Sequence, residues 1–395
     1  MSTTVQPGGN PREPMLAGRP HVVLAHDWLA GLRGGEHVLD AIAVALRHAG
    51  ADVSTLLTMF DDGRPLTPAI DALPRVVSPL GRLGGFSRRA RRHLLPLYPW
   101  AVSRLSSSLR SIHASRPVDL VVSTSSAAIK GLRTPEGVPH LCYVHSPPRY
   151  LWSQGEAYGR SSVLTRLGLA ASGPWLRRWD AATASRPTTL LANSAHTAAL
   201  IRKVWHRESQ VLHPPVRTDF FGATPPVARD GSWLVVSALE PYKRVDLAIE
   251  ASQLAGVRLV IVGDGSLAST LRSEAPATVE FKGRVDDATL RDLYARASVL
   301  IHPQIEDFGI VAVEAQAAGL PVVALASGGA VETVVDGVTG AFFREQAAAA
   351  IVEAARRVPP QCDPACREWA RRFSHDRFET AFLAAAAQTL GRHDR

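Results

Sequence analysis

Short apolar runs alternate with longer segments of helical periodicity, and this alternation passes through two halves of the chain. In the first half the apolar runs predict strands at 21–25, 52–57, 119–123, 140–144, 188–193 and 211–215. In the second half they predict strands at 233–237, 257–262, 278–282, 297–301, 321–325 and 338–343. Strands that alternate with helices form parallel sheets with crossover helices. The pattern therefore predicts an α/β protein with two Rossmann-like domains facing across a cleft.

Changes in composition along the chain suggest where the domains begin and end. Residues 1–20 are rich in Pro and Gly without an apolar run, so we expect a disordered tail and not a signal peptide. A first domain is predicted over 21–215 and a second over 233–372. The Pro- and Gly-containing segment 216–232 is the expected linker, and a helix is expected to close the chain within 373–395.

The overall composition, with 46% hydrophobic and 20% charged residues, is that of an ordinary globular protein. No apolar run reaches the length of a membrane span. The three cysteines are too few for a disulfide framework, which favours a cytoplasmic location. The chain contains no Asp-x-Asp and no His, Asp or Glu cluster at metal-ligand spacing, so we expect neither a metal nor another cofactor.

Positive charge is concentrated in one part of the first half. The net charge is +8, and seven arginines but no acidic residue lie between Arg82 and Arg110. Four of these arginines precede an apolar stretch in the segment Phe86–Leu105: Arg88, Arg89, Arg91 and Arg92. The segment fits either an amphipathic surface on an anionic membrane, at the inner face of the plasma membrane, or a solvated helix followed by a core-facing turn. Nucleic acid is not an expected partner, because no module of interleaved aromatic and basic residues is present.

The stretch Ile301–Gly319 combines a strand, a polar loop and a helix predicted over Phe308–Ala318. Glu306 lies on the loop and Glu314 near the second helical turn. Free N–H groups and the dipole at the helix start favour an anion there, and Gly309 would let a phosphate approach the backbone. The element could hold a nucleotide sugar, with Glu306 at the sugar hydroxyls and Glu314 at the ribose diol. Two glutamates at this spacing also occur by chance.

Residues that follow predicted strands are the other candidates, because strand ends face the cleft in an open α/β sheet. Gly34 and Gly35 precede a helix and fit either an anion site or a tight turn. His145 follows the strand at 140–144 and is expected to touch substrate. Lys243 and Arg244 are predicted in the first turn of a helix, where the dipole disfavours cations.

A diphosphate in front of that helix would explain the two cations, and simple solvent exposure is the alternative. A divalent cation would then be unnecessary, since Lys243, Arg244 and helix N–H groups would offset the charge of the leaving group. Gly263, which follows the strand at 257–262, gives backbone room for a ligand or for a turn.

In combination, these motifs resemble the retaining glycosyltransferases of family 4, which have the GT-B fold. In the second half the resemblance rests on five stretches: 237–246, 262–265, 281–285, 306–322 and 327–332. In the first half it rests on 26–36, 143–147 and 193–194, which are similar to the branch with O-antigen and related mannosyltransferases. The likeness covers about His21 to Arg372.

The resemblance implies that mannose is transferred from GDP-mannose to a hydroxyl of a glycan or lipid-linked acceptor. It implies retention at the anomeric carbon, no metal requirement, and a last helix, within 373–395, that packs back on the first domain. A UDP-sugar-dependent transferase is the first alternative. A sugar-nucleotide epimerase or a phosphorylase on the same scaffold is a second, because a fold does not determine a function.

The resemblance also assigns roles to residues at matching positions. Glu306 would contact the donor sugar hydroxyls, and Glu314 the ribose. His145 would meet the sugar from the first domain, and Lys243 would bind the diphosphate. Gly34 and Gly35 would face the diphosphate and the acceptor.

The remaining assigned contacts are with the diphosphate and the base. The amides of Phe308, Gly309 and Ile310 would assist at the diphosphate, and Arg284-Val285 would lie along the base. Many family members carry an Arg where this chain has Ala238. More of the diphosphate charge would therefore be offset by Lys243, by Arg244 or by another cation such as Arg33.

Overall fold

The computed structural model describes residue 16 and residues 18–83, 94–152, 163–224 and 227–391, which form two parallel sheets. The first sheet contains the strands β1 (His21–Leu29), β2 (Asp52–Asp61), β3 (Arg75–Val77), β4 (Leu120–Ser125), β5 (His140–Val144), β6 (Thr189–Ala192) and β7 (Gln210–Val211). The second contains β8 (Trp233–Val236), β9 (Leu259–Val262), β10 (Val279–Gly283), β11 (Val299–His302), β12 (Val322–Leu325) and β13 (Gly340–Phe343).

Helices connect the strands and cover both sheets. Those that lie mostly in the first half are α1 (Gly34–His48), α2 (Pro68–Asp71), α3 (Tyr98–Ser115), α4 (Arg149–Trp152), α5 (Val163–Thr183), α6 (Ala195–Trp205) and α7 (Thr218–Gly222). Those of the second half are α8 (Val245–Ala255), α9 (Ala268–Glu274), α10 (Asp287–Arg296), α11 (Ile310–Ala317), α12 (Ala330–Thr333), α13 (Ala348–Arg356), α14 (Asp363–Ala370) and α15 (His375–Gly391). Short 3₁₀ turns lie at Gly81–Leu83, Leu95–Leu97, Ile129–Gly131, Pro241–Lys243 and Arg371–Phe373.

The strand order places a topological switch point in each sheet. The orders are β3-β2-β1-β4-β5-β6-β7 and β10-β9-β8-β11-β12-β13. The strand order reverses between β1 and β4 and again between β8 and β11, and both of these pairs are parallel. Ligands of open α/β sheets bind outside the carboxyl ends of the strands at such points. The residues that follow β1, β4, β8 and β11 are therefore the ones positioned to form a site.

Each sheet is buried on both faces, which explains why its strands are continuous apolar runs. In β1, Val22 and Leu24 pack with α1 and α15, whereas Val23 and Ala25 pack on the opposite face with α3. The second sheet repeats this three-layer arrangement, with α11 on one face and with α8 and α13 on the other. The alternation fixes the register, because a shift by one residue would exchange the two faces.

Two stretches of chain pass between the domains side by side. The N–H of Val216 donates to the carbonyl of Phe373 at 2.8 Å where they meet. Within the segment predicted as the linker, α7 packs on the second domain and buries Phe221 in its core. After the second crossing, α15 lies on α1 and buries Phe378 and Phe382 in the core of the first domain.

The α/β architecture of two parallel-sheet domains confirms the fold expected from the sequence. The three-residue strand β3 was not predicted, because so short a run carries little periodicity. Residues 1–15, the arginines 88, 89, 91 and 92, and Pro225-Pro226 of the expected linker lie outside the described residues. Among the described residues, none of the helices combines the length and apolar character that a membrane crossing requires.

Two helix starts differ from those that the sequence predicts. The helix expected at Phe308 begins at Ile310, because Gly309 has φ +94° and ends the preceding loop in a left-handed conformation. Lys243 and Arg244 are not in the first turn of a helix. Lys243 ends a 3₁₀ turn, and Arg244, at φ 52°, precedes α8. A left-handed residue interrupts right-handed helical geometry, and single-residue propensities do not predict its position.

Because α15 packs on the first domain, truncating one of its buried side chains should strongly destabilise the protein. Phe382 is fully buried, so Phe382→Ala should lower the free energy of unfolding by about 3–5 kcal/mol. Urea unfolding, followed by circular dichroism, measures the change. Arg377→Ala, at an exposed position of the same helix, is the matched control and should change it by less than about 0.5 kcal/mol. Equal effects would mean that α15 does not pack on the first domain in solution.

Candidate active site

A cavity of about 350 Å³ lies between the two domains at both switch points. The first domain lines it with residues from the ends of β1, β4 and β5, including His26, Ser126 and His145. The second domain lines it with the end of β11 and the start of α11, including His302 and Glu306. Small-molecule sites commonly have volumes of about 300–1,000 Å³. The cavity is therefore the candidate active site.

Two helices begin at this cavity, one from each domain. Gly34 opens α1 and Ile310 opens α11, and a Cβ added to Gly34 would lie 3.3 Å from Cδ1 of Ile310. A Cβ on Gly35 would lie 3.6 Å from Nε2 of His145. The first N–H groups of each helix have no partner within the helix, and both dipoles present their positive ends here. The arrangement favours an anion between the two domains.

Glu306 is placed beside Lys243 by the loop that follows β11. The Lys243 ammonium donates to Oε1 of Glu306, and the amide of Gln304 donates to the same oxygen at 3.3 Å. Burial alone would raise the pKa of Glu306, but the charge of Lys243 and the hydrogen bond from Lys243 lower it below its ordinary value. Glu306 is thus an ionised, oriented carboxylate at the wall of the cavity.

Two histidines of the first domain lie together at the ends of β1 and β5. The rings of His26 and His145 meet edge to face, with centroids 6.4 Å apart, and Nδ1 of His26 faces the hydroxyl of Thr124. Burial lowers the pKa of His145 to about 3. No described residue hydrogen-bonds Nε2 of His145. The neutral ring therefore offers a polar nitrogen at the cavity.

A carboxylate holds the loop that brings Ser126 to the cavity. Asp27, which is 1% exposed, accepts backbone N–H bonds from Ser126 and from the three residues after it at 2.6–2.8 Å. Four amides on one carboxylate fix the turn after β4 relative to β1. Both residues of the His26-Asp27 pair in β1 thus contribute to the site. His26 lines the cavity, and Asp27 holds the turn that carries Ser126.

Two sets of polar contacts connect the domains around the cavity. Arg149, at the start of α4, pairs with Asp307, and its Nε donates to Oδ2 at 3.0 Å. Glu332 accepts the N–H groups of Ala195 and His196, at the start of α6, at 2.7 and 3.0 Å. It also lies 3.1 Å from Nε2 of His213. These contacts connect the two domains on either side of the cavity.

Glu314 lies in the second turn of α11, away from Glu306 and outside the lining of the cavity. The hydroxyl of Tyr294 donates to Oε2 of Glu314 at 3.2 Å. Burial raises the pKa of Glu314 to about 7, although Arg217 and the Tyr294 hydrogen bond lower it. Arg217 in turn pairs with Asp287. The expected ribose contact is thus a half-buried carboxyl that titrates near neutral pH.

Five other expected donor contacts do not line the cavity, and one of them, Lys243, reaches it only through Glu306. The guanidinium of Arg244 turns toward Asp246, with Nε 3.2 Å from its carboxylate. Arg284 is exposed, and Val285 packs against the core beside α11. Gly263, at φ +133°, lies so close to the carbonyl of Ser237 that an added Cβ would be 1.8 Å from it. A close approach of the protein's own backbone is therefore enough to explain this glycine.

Several residues that the structure brings to the cavity or beside it were not predicted from the sequence. His302 and Gln304 lie beside Glu306, and Arg149 and Glu332 join the domains. The alternation His302-x-Gln304-x-Glu306 was the available signal, because alternate residues of an extended segment share one side. Among the described residues, no group of three or more His, Cys, Asp or Glu is placed to hold a metal ion.

Two family models match the chain. Residues 32–220 match the model described as Glycosyltransferase Family 4, and residues 218–361 match Glycosyl transferases group 1. A D-inositol 3-phosphate glycosyltransferase of Mycolicibacterium smegmatis is 31% identical over 217 residues, which are 47% of this chain and 49% of that protein. A glycogen synthase of Pseudomonas aeruginosa is 35% identical over 132 residues, 31% of this chain and 26% of that protein. The chain thus spans about half the length, or less, of these curated relatives.

Solved structures share the fold over nearly the whole chain. Sucrose-phosphate synthase of Thermosynechococcus elongatus has a TM-score of 0.66 at 19% identity and covers 94% of this chain and 98% of its own. HepE of Anabaena in complex with UDP has a TM-score of 0.64 at 18% identity, with 93% and 100% covered. Two parallel-sheet domains around a shared cleft are the GT-B fold, and this confirms the expected fold class. The chain belongs to glycosyltransferase family 4.

The contact between Lys243 and Glu306 predicts how the site titrates. In Lys243→Met the ammonium is gone and burial dominates, so the pKa of Glu306 should rise above its ordinary value. The parent's Glu306 stabilises the fold above the unfolded-state pKa and loses that contribution as the pH falls through its lowered folded-state pKa. In the variant the sign reverses, because a folded-state pKa above the unfolded-state value makes Glu306 cost stability as the pH rises. This cost should disappear as the pH falls below the unfolded-state pKa, so the parent and the variant should show opposite slopes of stability against pH.

Carbon-13 NMR titration of the glutamate carboxyl carbons, with Glu306→Gln to assign the signal, measures this pKa. Lys282→Met removes an ammonium that pairs with Glu280 on the surface and is the matched control. It should leave the titration of Glu306 unchanged. An unaltered Glu306 titration in Lys243→Met would show that Lys243 does not hold this carboxylate ionised.

Proposed function

We propose that the protein transfers a sugar from a nucleotide diphosphate sugar to an acceptor hydroxyl, with retention at the anomeric carbon. The observation that carries the proposal is the meeting of two helix starts, α1 and α11, beside Lys243 and Glu306. The helix starts and Lys243 would bind the diphosphate, and Glu306 would accept hydrogen bonds from sugar hydroxyls. Phe308, Gly309 and Ile310 all line this cavity.

The carboxylates that line the cavity support a reaction without a protein nucleophile. Glu306 is engaged by Lys243 and Gln304, Asp307 by Arg149, and Glu36 by the N–H of Ala30 at 3.3 Å. Each is oriented by donors and is therefore a weaker nucleophile than a free carboxylate. We infer that an oxygen of the departing diphosphate deprotonates the acceptor on the same face of the sugar, while cations and helix N–H groups stabilise the developing charge.

No metal is required in this proposal, because the positive groups at the diphosphate are supplied by the protein. Lys243 contacts the cavity-lining Glu306, and Arg33 and Arg149 line the cavity themselves. Arg33 stands at the start of α1 and could compensate for Ala238, where many family members have Arg. The arrangement predicts turnover in the presence of a chelator.

We propose GDP-mannose as the donor, on the strength of the mannosyltransferase-like motifs around His26–Glu36 and Tyr143–Pro147. A UDP-sugar is the alternative, favoured by the fold similarity to HepE, which was solved with UDP. Glu314 would contact the ribose in either case. A sugar-nucleotide epimerase on the same fold would form product without an acceptor.

A glycan or a lipid-linked sugar is the proposed acceptor. The exposed Leu97 and Trp100 follow the arginine-rich segment in the chain, and such a surface suits an anionic membrane at a cytoplasmic face. Flotation with anionic vesicles tests the attachment. Neutralising Arg88, Arg89, Arg91 and Arg92 together should abolish binding if these arginines are the anchor.

Two measurements identify the donor: the change in melting temperature and the slow release of nucleotide by hydrolysis. Both are made with GDP-mannose, UDP-glucose, UDP-galactose and ADP-glucose in the presence of EDTA. A ligand that binds only the folded state at 100 times its dissociation constant adds about 2.7 kcal/mol of stability. GDP-mannose should raise the melting temperature and release GDP. A shift with a UDP-sugar alone would replace the mannose assignment, and no shift with any donor would contradict the proposed class.

Lys243 and Glu306 are expected to be needed for transfer itself. Lys243→Ala removes a cation from the diphosphate and should lower kcat/KM by about 100- to 1,000-fold. Glu306→Gln preserves the shape but weakens the hydrogen bonds to sugar hydroxyls, so it should also reduce transfer. Lys282→Ala is the control and should transfer like the parent. Full transfer by Lys243→Ala at saturating donor would show that the diphosphate role is wrong.

A further inference from the structure

His302 is a cavity residue with an unused hydrogen-bonding atom. It ends β11, is 1% exposed and lines the cavity between the domains. Its Nε2 has no hydrogen-bond partner among the described residues. A Cβ added to Gly309 would lie 3.6 Å from this nitrogen. The unused atom is therefore next to the start of α11, where the free N–H groups of the first helical turn favour an anion.

Gln304 determines which nitrogen of His302 carries the proton. The amide nitrogen of Gln304 lies 3.3 Å from Oε1 of Glu306 and 3.2 Å from Nδ1 of His302. The nitrogen and not the oxygen must face Glu306, because an ionised carboxylate only accepts hydrogen bonds. The same amide group then donates to Nδ1 of His302, so the proton of the neutral ring is on Nε2.

The environment keeps this ring neutral. Burial is the largest cause and, together with the charge of Lys243, lowers the pKa of His302 to about 4, against the opposing charge of Glu306. The neutral tautomer leaves one N–H, on Nε2, at the cavity wall. This group adds a donor to the anion site without adding a positive charge.

His302 differs from the buried histidines His21 and His140 in where its unpartnered nitrogen lies. Both ring nitrogens of His21 are used, with the carbonyl of Pro117 at 2.7 Å and the hydroxyl of Ser54 at 2.6 Å. His140 also has an unpartnered nitrogen, but it does not line the cavity. An unpartnered nitrogen alone is thus not evidence of a ligand. The nitrogen of His302 indicates a ligand contact because it also lies at the cavity wall and beside the start of α11.

We propose that His302 donates its Nε2–H to a diphosphate oxygen of the donor and that Gln304 fixes the tautomer that makes this possible. The inference rests on the proposed function, since it requires a nucleoside diphosphate in the cavity. His302 is then a direct substrate contact, and Gln304 is a positioning residue that acts on both His302 and Glu306.

Calorimetric titration of the full chain with GDP and with UDP tests the contact. His302→Phe keeps a planar ring but removes the N–H, and should weaken the affinity for the diphosphate that the parent binds by about tenfold, the cost of a hydrogen bond to a charged group. His302→Gln places an amide nitrogen near the position of Nε2 and should stay within about threefold of the parent. His140→Phe, a second buried histidine away from the cavity, is the matched control and should bind like the parent.

Nitrogen-15 spectra of histidine-labelled protein test the role of Gln304. The parent should show His302 with its proton on Nε2 at neutral pH. In Gln304→Leu the donor to Nδ1 is gone, so the preference for this tautomer should be reduced. An Nδ1–H signal for His302 in the parent would overturn the assignment.

The outcomes separate this inference from the proposed function. If the parent binds a nucleoside diphosphate and His302→Phe binds it equally well, the contact is wrong and the function stands. Failure of His302→Gln to restore binding would show that ring shape, and not the N–H, is needed. If His302→Phe weakened nucleotide-sugar binding but left diphosphate binding unchanged, the acceptor atom would be a sugar oxygen and the diphosphate assignment would be overturned. A parent that binds no nucleoside diphosphate would overturn both proposals.

Discussion

Two helices with their positive ends at one cavity impose the main electrostatic constraint on this protein. The starts of α1 and α11 come from different domains, and a Cβ added to Gly34 would lie 3.3 Å from the side chain of Ile310 across the cleft. Lys243 and Arg149 add two cations beside them. In the structure these charges are balanced internally, Lys243 by Glu306 and Arg149 by Asp307. An anion that enters must compete with these carboxylates or be accommodated beside them.

The same constraint explains why charged groups connect the domains, in addition to the two stretches of chain that pass between them. Asp307 lies two residues before the left-handed Gly309, so the residues that shape the anion site also reach across to Arg149. On the other side, Glu332 places a carboxylate at the start of α6, where N–H groups and the dipole favour a negative charge. The residues that shape the anion site are therefore also residues that connect the two domains.

The sequence predicted the fold and most of the positions where the site forms, because both follow from local patterns. Apolar runs mark the buried parallel strands, and polar residues directly after them, such as His145 and Glu306, lie at the cleft. The structure placed the start of α11 later than predicted, because a left-handed glycine ends the loop. Arg244 likewise precedes its helix, at positive φ.

Other features depend on contacts that no local pattern contains. Arg149 and Asp307 are 158 positions apart in sequence, and their pairing requires both domains in place. Arg244 and Gly263 matched family motifs, yet one pairs with a neighbouring carboxylate and the other accommodates the backbone of Ser237. A motif specifies residue types at given positions. The direction in which a side chain points depends on tertiary packing.

Three titratable groups at the cavity have pKa values well below neutral pH, and this bears on the proposed mechanism. Lys243 helps to keep the pKa of Glu306 below its ordinary value, and burial lowers the pKa of His145 to about 3 and of His302 to about 4. A general base works best with a pKa near the operating pH, and none of these three groups has one. Glu314, with a pKa of about 7, titrates in that range but lies outside the cavity. These three groups therefore suit binding and charge stabilisation better than proton transfer, which supports the proposal that the leaving group takes the proton of the acceptor.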